Sequence, residues 1–192
     1  MSESQAIDWE ARYQAGRTGW ERPGLHPALI AWRASGELIP CCILIPGAGR
    51  SPEPLALADA GFAVTVLDVA PSAAAAQRQR LGSRGAVVQS DLFAWEPPMP
   101  FDAVYDQTCL CALPPERVAE YEQCLARWLR ADGSLFVLFM QTSQPGGPPF
   151  DCPIAEMRKL FAAERWVWPD ALPPLIAHPS LRDEQPVRLR RR

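Results

Sequence analysis

The chain has almost no lysine or histidine: Lys159 is the only lysine among its 192 residues, and His26 and His178 are the only histidines. The first shortage excludes a phosphate-cradling loop of the Gly-Lys-Ser/Thr type, whose lysine is indispensable. It also argues against the Tyr-x-x-x-Lys catalysis of many short-chain dehydrogenases. The second shortage, together with the absence of any Cys-x-x-Cys, removes zinc-finger spacing, so no metal site is expected. No apolar run reaches eighteen residues, so no membrane-spanning helix is expected. Met1 to Glu10 lacks the basic-then-apolar signature of a secretory signal. A net charge of -3 gives no electrostatic case for nucleic acid or an anionic membrane. The expectation is a cytoplasmic protein, monomeric, with no nucleic-acid or membrane partner.

Six cysteines are present: Cys41, Cys42, Cys109, Cys111, Cys124 and Cys152. Reduced structural thiols behaving as small hydrophobes are the first reading, and a redox role for Cys109 and Cys111 is the alternative. The length suits one domain with one substantial core.

The pattern along the chain alternates strands and helices. Residues 4–14 read as a helix with Trp9 and Tyr13 on one face, followed by a Gly-rich loop carrying Trp20. His26 to Ser35 reads as a second helix, closed by Gly36. Strands are expected at 41–45, 62–67, 86–89, 101–105 and 134–140, with helices at 53–60, 71–81 and 153–163 and a long one from Pro114 to about 130. Two more strands fit near 164–168 and 185–190. This order predicts an α/β fold, a mostly parallel sheet with helices on both faces. An N-terminal helical extension, 1–36, precedes an α/β core, 41–192, within one domain.

In such a sheet, ligands lie outside the carboxyl ends of the strands. Four ends are legible: Pro46 to Ser51, Asp68-Val69, Ser90-Asp91-Leu92-Phe93, and Asp106-Gln107-Thr108. The Gly47-Ala48-Gly49 turn lets backbone approach a ligand, and the carboxylate about twenty residues on, Asp68, can accept from ribose hydroxyls. Each has a plainer alternative: a tight strand–helix turn for the glycines, a helix N-cap for Asp68, a turn residue for Asp91. A dinucleotide fingerprint wants a third Gly or Ala where this chain has Pro52. An adenosine ligand without a phosphate to anchor remains.

An ordered set of motifs resembles the thiopurine S-methyltransferase superfamily, which includes thiol and thiocyanate methyltransferases. It runs Trp9-x-x-x-Tyr13-x-x-Gly16-x-Thr18-x-Trp20, His26-Pro27-x-Leu29, Ile45-Pro46-Gly47-Ala48-Gly49-Arg50-Ser51, Leu67-Asp68 and Asp91-Leu92-Phe93. It continues through Phe101-Asp102-x-Val104-Tyr105-Asp106-Gln107-Thr108-x-x-Cys111-Ala112-Leu113-Pro114-Pro115 to Gly147-Pro148-Pro149-Phe150. The resemblance implies a Rossmann-like class I methyltransferase fold, seven strands with the last antiparallel, and S-adenosylmethionine as cofactor. It implies that Trp9, Tyr13 and Trp20 close over that cofactor, and that Gly47, with its neighbours Pro46 and Gly49, approaches the methionine portion. Asp68, with Val69, would hold the ribose. Asp91 and Leu92, beside Phe93, would flank the adenine, and Gln107 stands where relatives place an Arg or Tyr.

The implied reaction is methyl transfer to a small-molecule acceptor, a sulfur or selenium nucleophile. Aromatic faces suit a sulfonium, which is a fixed cation. No histidine falls at a recognised strand end, so no catalytic base is named. Arg182, Arg188 or Arg190 could add positive charge near the site, a solvated last strand being the plainer reading. The substrate wall is expected from 15–27 and 141–151. The alternatives are a non-catalytic protein that keeps the cofactor fold and an NAD(P)-dependent oxidoreductase.

Overall fold

The structure, a computed structural model, describes residues 7–179 and 182–192. Among the described residues eight strands form one sheet: β1 (Cys42–Pro46), β2 (Ala63–Asp68), β3 (Gly85–Gln89), β4 (Phe101–Asp106), β5 (Leu129–Gln141), β6 (Trp166–Val167), β7 (Ile176–Ala177) and β8 (Asp183–Arg191). Their order is β3-β2-β1-β4-β5-β8-β6, with β7 also paired to β8. Strands β1 to β5 are parallel, and β8 runs antiparallel to β5, β6 and β7. The order reverses between β1 and β4, the position where an open sheet leaves a crevice at its carboxyl edge.

Six α-helices accompany the sheet among the described residues: α1 (Trp9–Gln14), α2 (Pro27–Ala34), α3 (Glu53–Asp59), α4 (Pro71–Leu81), α5 (Val118–Trp128) and α6 (Ile154–Leu160). Strand residues alternate between two apolar layers, as a period of two requires. Ile43, Ile45, Tyr105, Phe136 and Leu138 enter one layer with Leu29, Trp32 and Leu57. Leu44, Val104, Leu135, Val137 and Phe139 enter the other with Tyr121, Trp128 and Phe161. Burial on both sides explains why these strands read as continuous apolar runs.

Four expectations are corrected. Among the described residues the sheet has eight strands instead of seven, because the two-residue β7 adds to the edge of β8. The helix expected at 4–14 is α1, starting at Trp9, where the Asp8 side chain caps it by accepting from Ala11 N at 2.9 Å; residues 4–6 lie outside the described residues. The long helix from Pro114 is divided into a 3-10 turn, Pro115–Arg117, and α5. It stops at Trp128 because Leu129 turns extended and pairs with Phe101, which starts β5 five residues early. Among the described residues no helix is long and apolar enough to cross a membrane.

Candidate active site

The turn after β1 is built around two left-handed residues, Gly47 (φ 56°) and Gly49 (φ 55°). A Cβ-bearing residue is strained there. Space is also lacking: a Cβ on Gly47 would lie 2.9 Å from Cys109 Sγ, and one on Gly49 would lie 2.5 Å from the Tyr13 hydroxyl. Gly47 N donates to Leu67 O at 2.7 Å, which ties the turn to the end of β2.

Asp68 closes β2 and is only 6% exposed. Its Oδ2 accepts from Gly49 N at 2.8 Å and its Oδ1 from Ala70 N at 2.9 Å. Burial raises its pKa, and the two backbone amides oppose that rise. Each oxygen keeps a second lone pair. The plainer N-cap reading does not hold, since Ala70 occupies the cap of α4. For Asp91 the plainer reading does hold in part, because its Oδ1 accepts from Phe93 N at 2.7 Å in a local turn.

Three aromatic rings from the N-terminal segment stand over this edge. Trp20 meets Trp9 at 5.4 Å and Tyr13 at 5.6 Å, both edge to face. Tyr13 packs on Ala70, the cap of α4, and on Ala73 within it. Glu10 accepts from Ser72 N at 2.9 Å, so α1 is fastened to the first turn of α4. The Ser72 hydroxyl, with that backbone bond, holds the Glu10 carboxyl below its usual range.

Beneath the rings lies a cavity of about 720 Å³. Trp9, Tyr13, Trp20, Gly47, Asp68, Val69, Asp91, Leu92 and Phe93 all line it. Three residues expected beside them do not. Pro46 pairs with Leu67 inside the sheet. Gly49 and Gln107 line a separate cavity of about 30 Å³ behind the turn. Gln107 is drawn there because its Oε1 accepts from the Tyr105 hydroxyl at 2.8 Å. Thr108, with φ 66°, turns the chain back so that it reaches both spaces.

The floor comes from the loop after β4. Asp106 is fully buried and accepts from Cys109 N at 3.0 Å, Leu110 N at 3.3 Å and the Tyr121 hydroxyl at 2.9 Å. Burial lifts its pKa to about 6 against these three donors. Cys109 and Cys111, which this loop presents to the cavity, are free thiols. Their burial raises both pKa values well above the ordinary, which argues against the redox alternative and for apolar lining. The loop carrying Pro148 and Pro149 adds a wall and is tied down by Phe150 N donating to Cys111 O at 2.7 Å. Segments 15–27 and 141–151 both contribute residues to the lining of this cavity.

The C-terminal part divides the three arginines. Arg182 lines the cavity. Arg188 donates to Ser134 Oγ at 3.2 Å over the Phe136 ring, and Arg190 pairs with Asp132 at 2.5 Å. A histidine also emerges: His178, directly after β7, lines the cavity and is 4% exposed. Sequence reasoning missed it because a two-residue strand leaves no periodicity to recognise.

Known proteins agree with this architecture. The family described as Thiopurine S-methyltransferase (TPMT) matches residues 4–172. A probable thiol methyltransferase 2 of Arabidopsis thaliana is 28% identical over 167 residues, spanning 84% of this chain and 74% of that protein. A thiopurine S-methyltransferase of Vibrio cholerae serotype O1 is 30% identical over 174 residues, spanning 80% of this chain and 79% of its own. Among solved structures, the Burkholderia thailandensis 1,6-didemethyltoxoflavin-N1-methyltransferase with bound 1,6-didemethyltoxoflavin and S-adenosylhomocysteine superposes with a TM-score of 0.78. It is 21% identical, over 100% of this chain and 93% of that one, a likeness of fold. By the span of the family match and by these relatives, the chain is a methyltransferase and belongs to the thiopurine S-methyltransferase family.

Proposed function

We propose that the chain methylates a small sulfur nucleophile (a thiol, a thiopurine or a thiocyanate-like anion) with S-adenosylmethionine as donor. The observation that carries this reading is the convergence on one cavity of the Gly47 turn, the buried Asp68 carboxylate and the three rings of the N-terminal segment. These residues fit the donor: a cradle that any Cβ would fill, a carboxylate with lone pairs to spare, and aromatic faces for a cation. When bound, the donor supplies an electrophilic methyl group on a positively charged sulfur.

Each side chain then has a stated task. Asp68 accepts from the ribose hydroxyls. Trp9, Tyr13 and Trp20 attract the sulfonium, at roughly 0.5–2 kcal/mol per ring face and more where water is excluded. Leu92 and Phe93 pack against the base, and Asp91 receives its amino group. The Gly47 turn brings backbone to the methionine portion. Cys109, Cys111 and Met140 give an apolar floor that keeps water from the nucleophile. Alignment of donor and acceptor is the largest contribution available to the protein, up to roughly 7–11 kcal/mol in favourable systems. Gln107, which accepts from the Tyr105 hydroxyl behind the Gly47 turn, is given no task at the donor in this reading. The reading takes the chain as one cytoplasmic domain working as a monomer on a small molecule, in keeping with its net charge of -3.

The test is incubation with methyl-labelled donor and a panel of thiols, selenols, thiopurines, thiocyanate and halides, scored by mass spectrometry. Methylated sulfur products are expected. Methylation confined to the halides or to the ring nitrogens of the thiopurines, or none at all, contradicts the proposal.

A further inference from the structure

We propose that Gln77, with Arg80 beside it on α4, is a positioning residue for the methyl donor: the pair clamps the turn after β1 so that Gly49 holds the Asp68 carboxylate ready for the ribose. The role rests on the donor reading above and not on the identity of the acceptor.

The polar backbone of the turn finds its partners bond by bond. Gly47 N is tied to β2, and Ser51 N donates to Ala48 O at 3.2 Å, closing the turn on itself. Three successive carbonyls are then taken up by α4. Gln77 Nε2 donates to Gly49 O and to Ser51 O, each at 2.9 Å. Arg80 Nη1 donates to Arg50 O at 2.7 Å and to Ser51 O at 2.5 Å. Residues three and four apart share a helix face, and Ala73, four before Gln77, packs against Tyr13. One face of α4 thus carries both the aromatic roof and the turn.

Gln77 fills its place at a disadvantage. It is fully buried, and among the described residues its Oε1 has no hydrogen-bond partner. A buried acceptor left unpaired is unfavourable, and a methionine of similar length would leave none. What the glutamine alone supplies is the pair of N–H bonds to the turn. The two carbonyl acceptors also fix which end of its amide faces them.

Gly49 is where the clamp meets the site. Its carbonyl is held by Gln77 and its N–H donates to Asp68 Oδ2 at 2.8 Å, so the residue is fixed from both sides at φ 55°. A glycine released on one side regains the widest backbone freedom of any residue. Asp68 Oδ1 is held by Ala70 N, next to β2, so the Gly49 bond is the tie between the carboxylate and the turn. With that tie loosened, the carboxylate must be ordered when the donor arrives, and affinity falls accordingly. Gln77, Arg80 and Gly49 all lie outside the lining of the 720 Å³ cavity, so their effect reaches the donor through Asp68.

The experiment is a double-mutant cycle on the full chain, read as S-adenosylhomocysteine affinity by calorimetry. Wild type is compared with Gln77→Met, Asp68→Ala and the double variant. Gln77→Met is expected to bind roughly 3- to 10-fold more weakly than wild type. The double variant is expected within about twofold of Asp68→Ala, since the clamp has nothing left to position. Unchanged affinity in Gln77→Met, or the same fold-loss in both backgrounds, overturns the role. In turnover with thiocyanate, the variant's KM for S-adenosylmethionine should rise by the factor seen in calorimetry, with the thiocyanate KM unchanged. A rise in the thiocyanate KM alone overturns the role as well. The calorimetry needs no turnover, so it decides even where thiocyanate is not the acceptor. If Gln77→Met fails to fold, Arg80→Met, at a partly exposed position, replaces it in the same cycle. A loss that vanishes in the Asp68→Ala background then supports the clamp, and unchanged affinity overturns it. A wild type that does not bind S-adenosylhomocysteine overturns the donor reading itself, and this inference with it.

Discussion

Replacing Gly49 with alanine tests whether the turn and the aromatic roof are one unit. At φ 55° the backbone lies in the left-handed region, where a Cβ costs about 1–2 kcal/mol. The new methyl would also stand 2.5 Å from the Tyr13 hydroxyl, about an ångström inside ordinary contact. Tyr13 is 8% exposed and wedged between Trp20 and the Ala70–Ala73 face, so relief requires α1 to shift. Partial exposure of that ring adds about 1–2 kcal/mol, giving a total near 2–4 kcal/mol. Gly47→Ala is the matched comparison, with φ 56° but a clash against Cys109 instead. Urea denaturation should show both variants destabilised. Hydrogen exchange should show faster exchange in α1 for Gly49→Ala and unchanged exchange there for Gly47→Ala. Wild-type stability in Gly49→Ala, or equal loosening of α1 in both, would refute the coupling.

Asp106 offers a pH test. Its folded pKa of about 6 exceeds the unfolded value near ~3.9, so its contribution is greatest below that value and is lost as pH rises through about 6. Wild type should therefore lose up to about 3 kcal/mol relative to Asp106→Asn between pH 4 and 7 in urea titrations; a constant difference contradicts it. Glu122, with its side chain 2% exposed, accepts from Trp166 Nε1 at 2.5 Å and Arg165 Nη2 at 2.6 Å. Glu122→Ala strands the buried indole N–H, and a loss of about 1–3 kcal/mol is expected by denaturation, with no loss refuting the account. Thiol labelling of the native protein should modify exposed Cys42 first, and Cys124 and Cys152, which are buried away from the cavity, only after unfolding. Early labelling of either of those two contradicts their burial.

What the sequence disclosed follows from the physics of each signal. Strands buried on both faces, such as Cys42–Pro46 and Ala63–Asp68, appear as apolar runs ending in glycine or a carboxylate, so their boundaries came within a residue. The cavity rim was legible because strand ends in a parallel sheet all point one way. Helix ends were harder: α5 has apolar spacing that continues past Trp128, and only the pairing of Leu129 with Phe101 stops it. Side-chain direction was not legible. Gln107 sits at a ligand-facing strand end, yet the Tyr105 hydroxyl turns it behind the Gly47 turn. His178 was hidden by the brevity of β7, and Arg182 was separable from Arg188 and Arg190 only once β8 had a register.

The central claim is that the methyl donor lies in the cavity between Asp68 and the three rings. Calorimetric titration of wild type and Asp68→Ala with S-adenosylhomocysteine tests it most directly. The account requires one site in wild type and an affinity about 10- to 100-fold weaker in the variant, the loss of hydrogen bonds to a charged acceptor. No binding to wild type, or equal affinity in both, would contradict it.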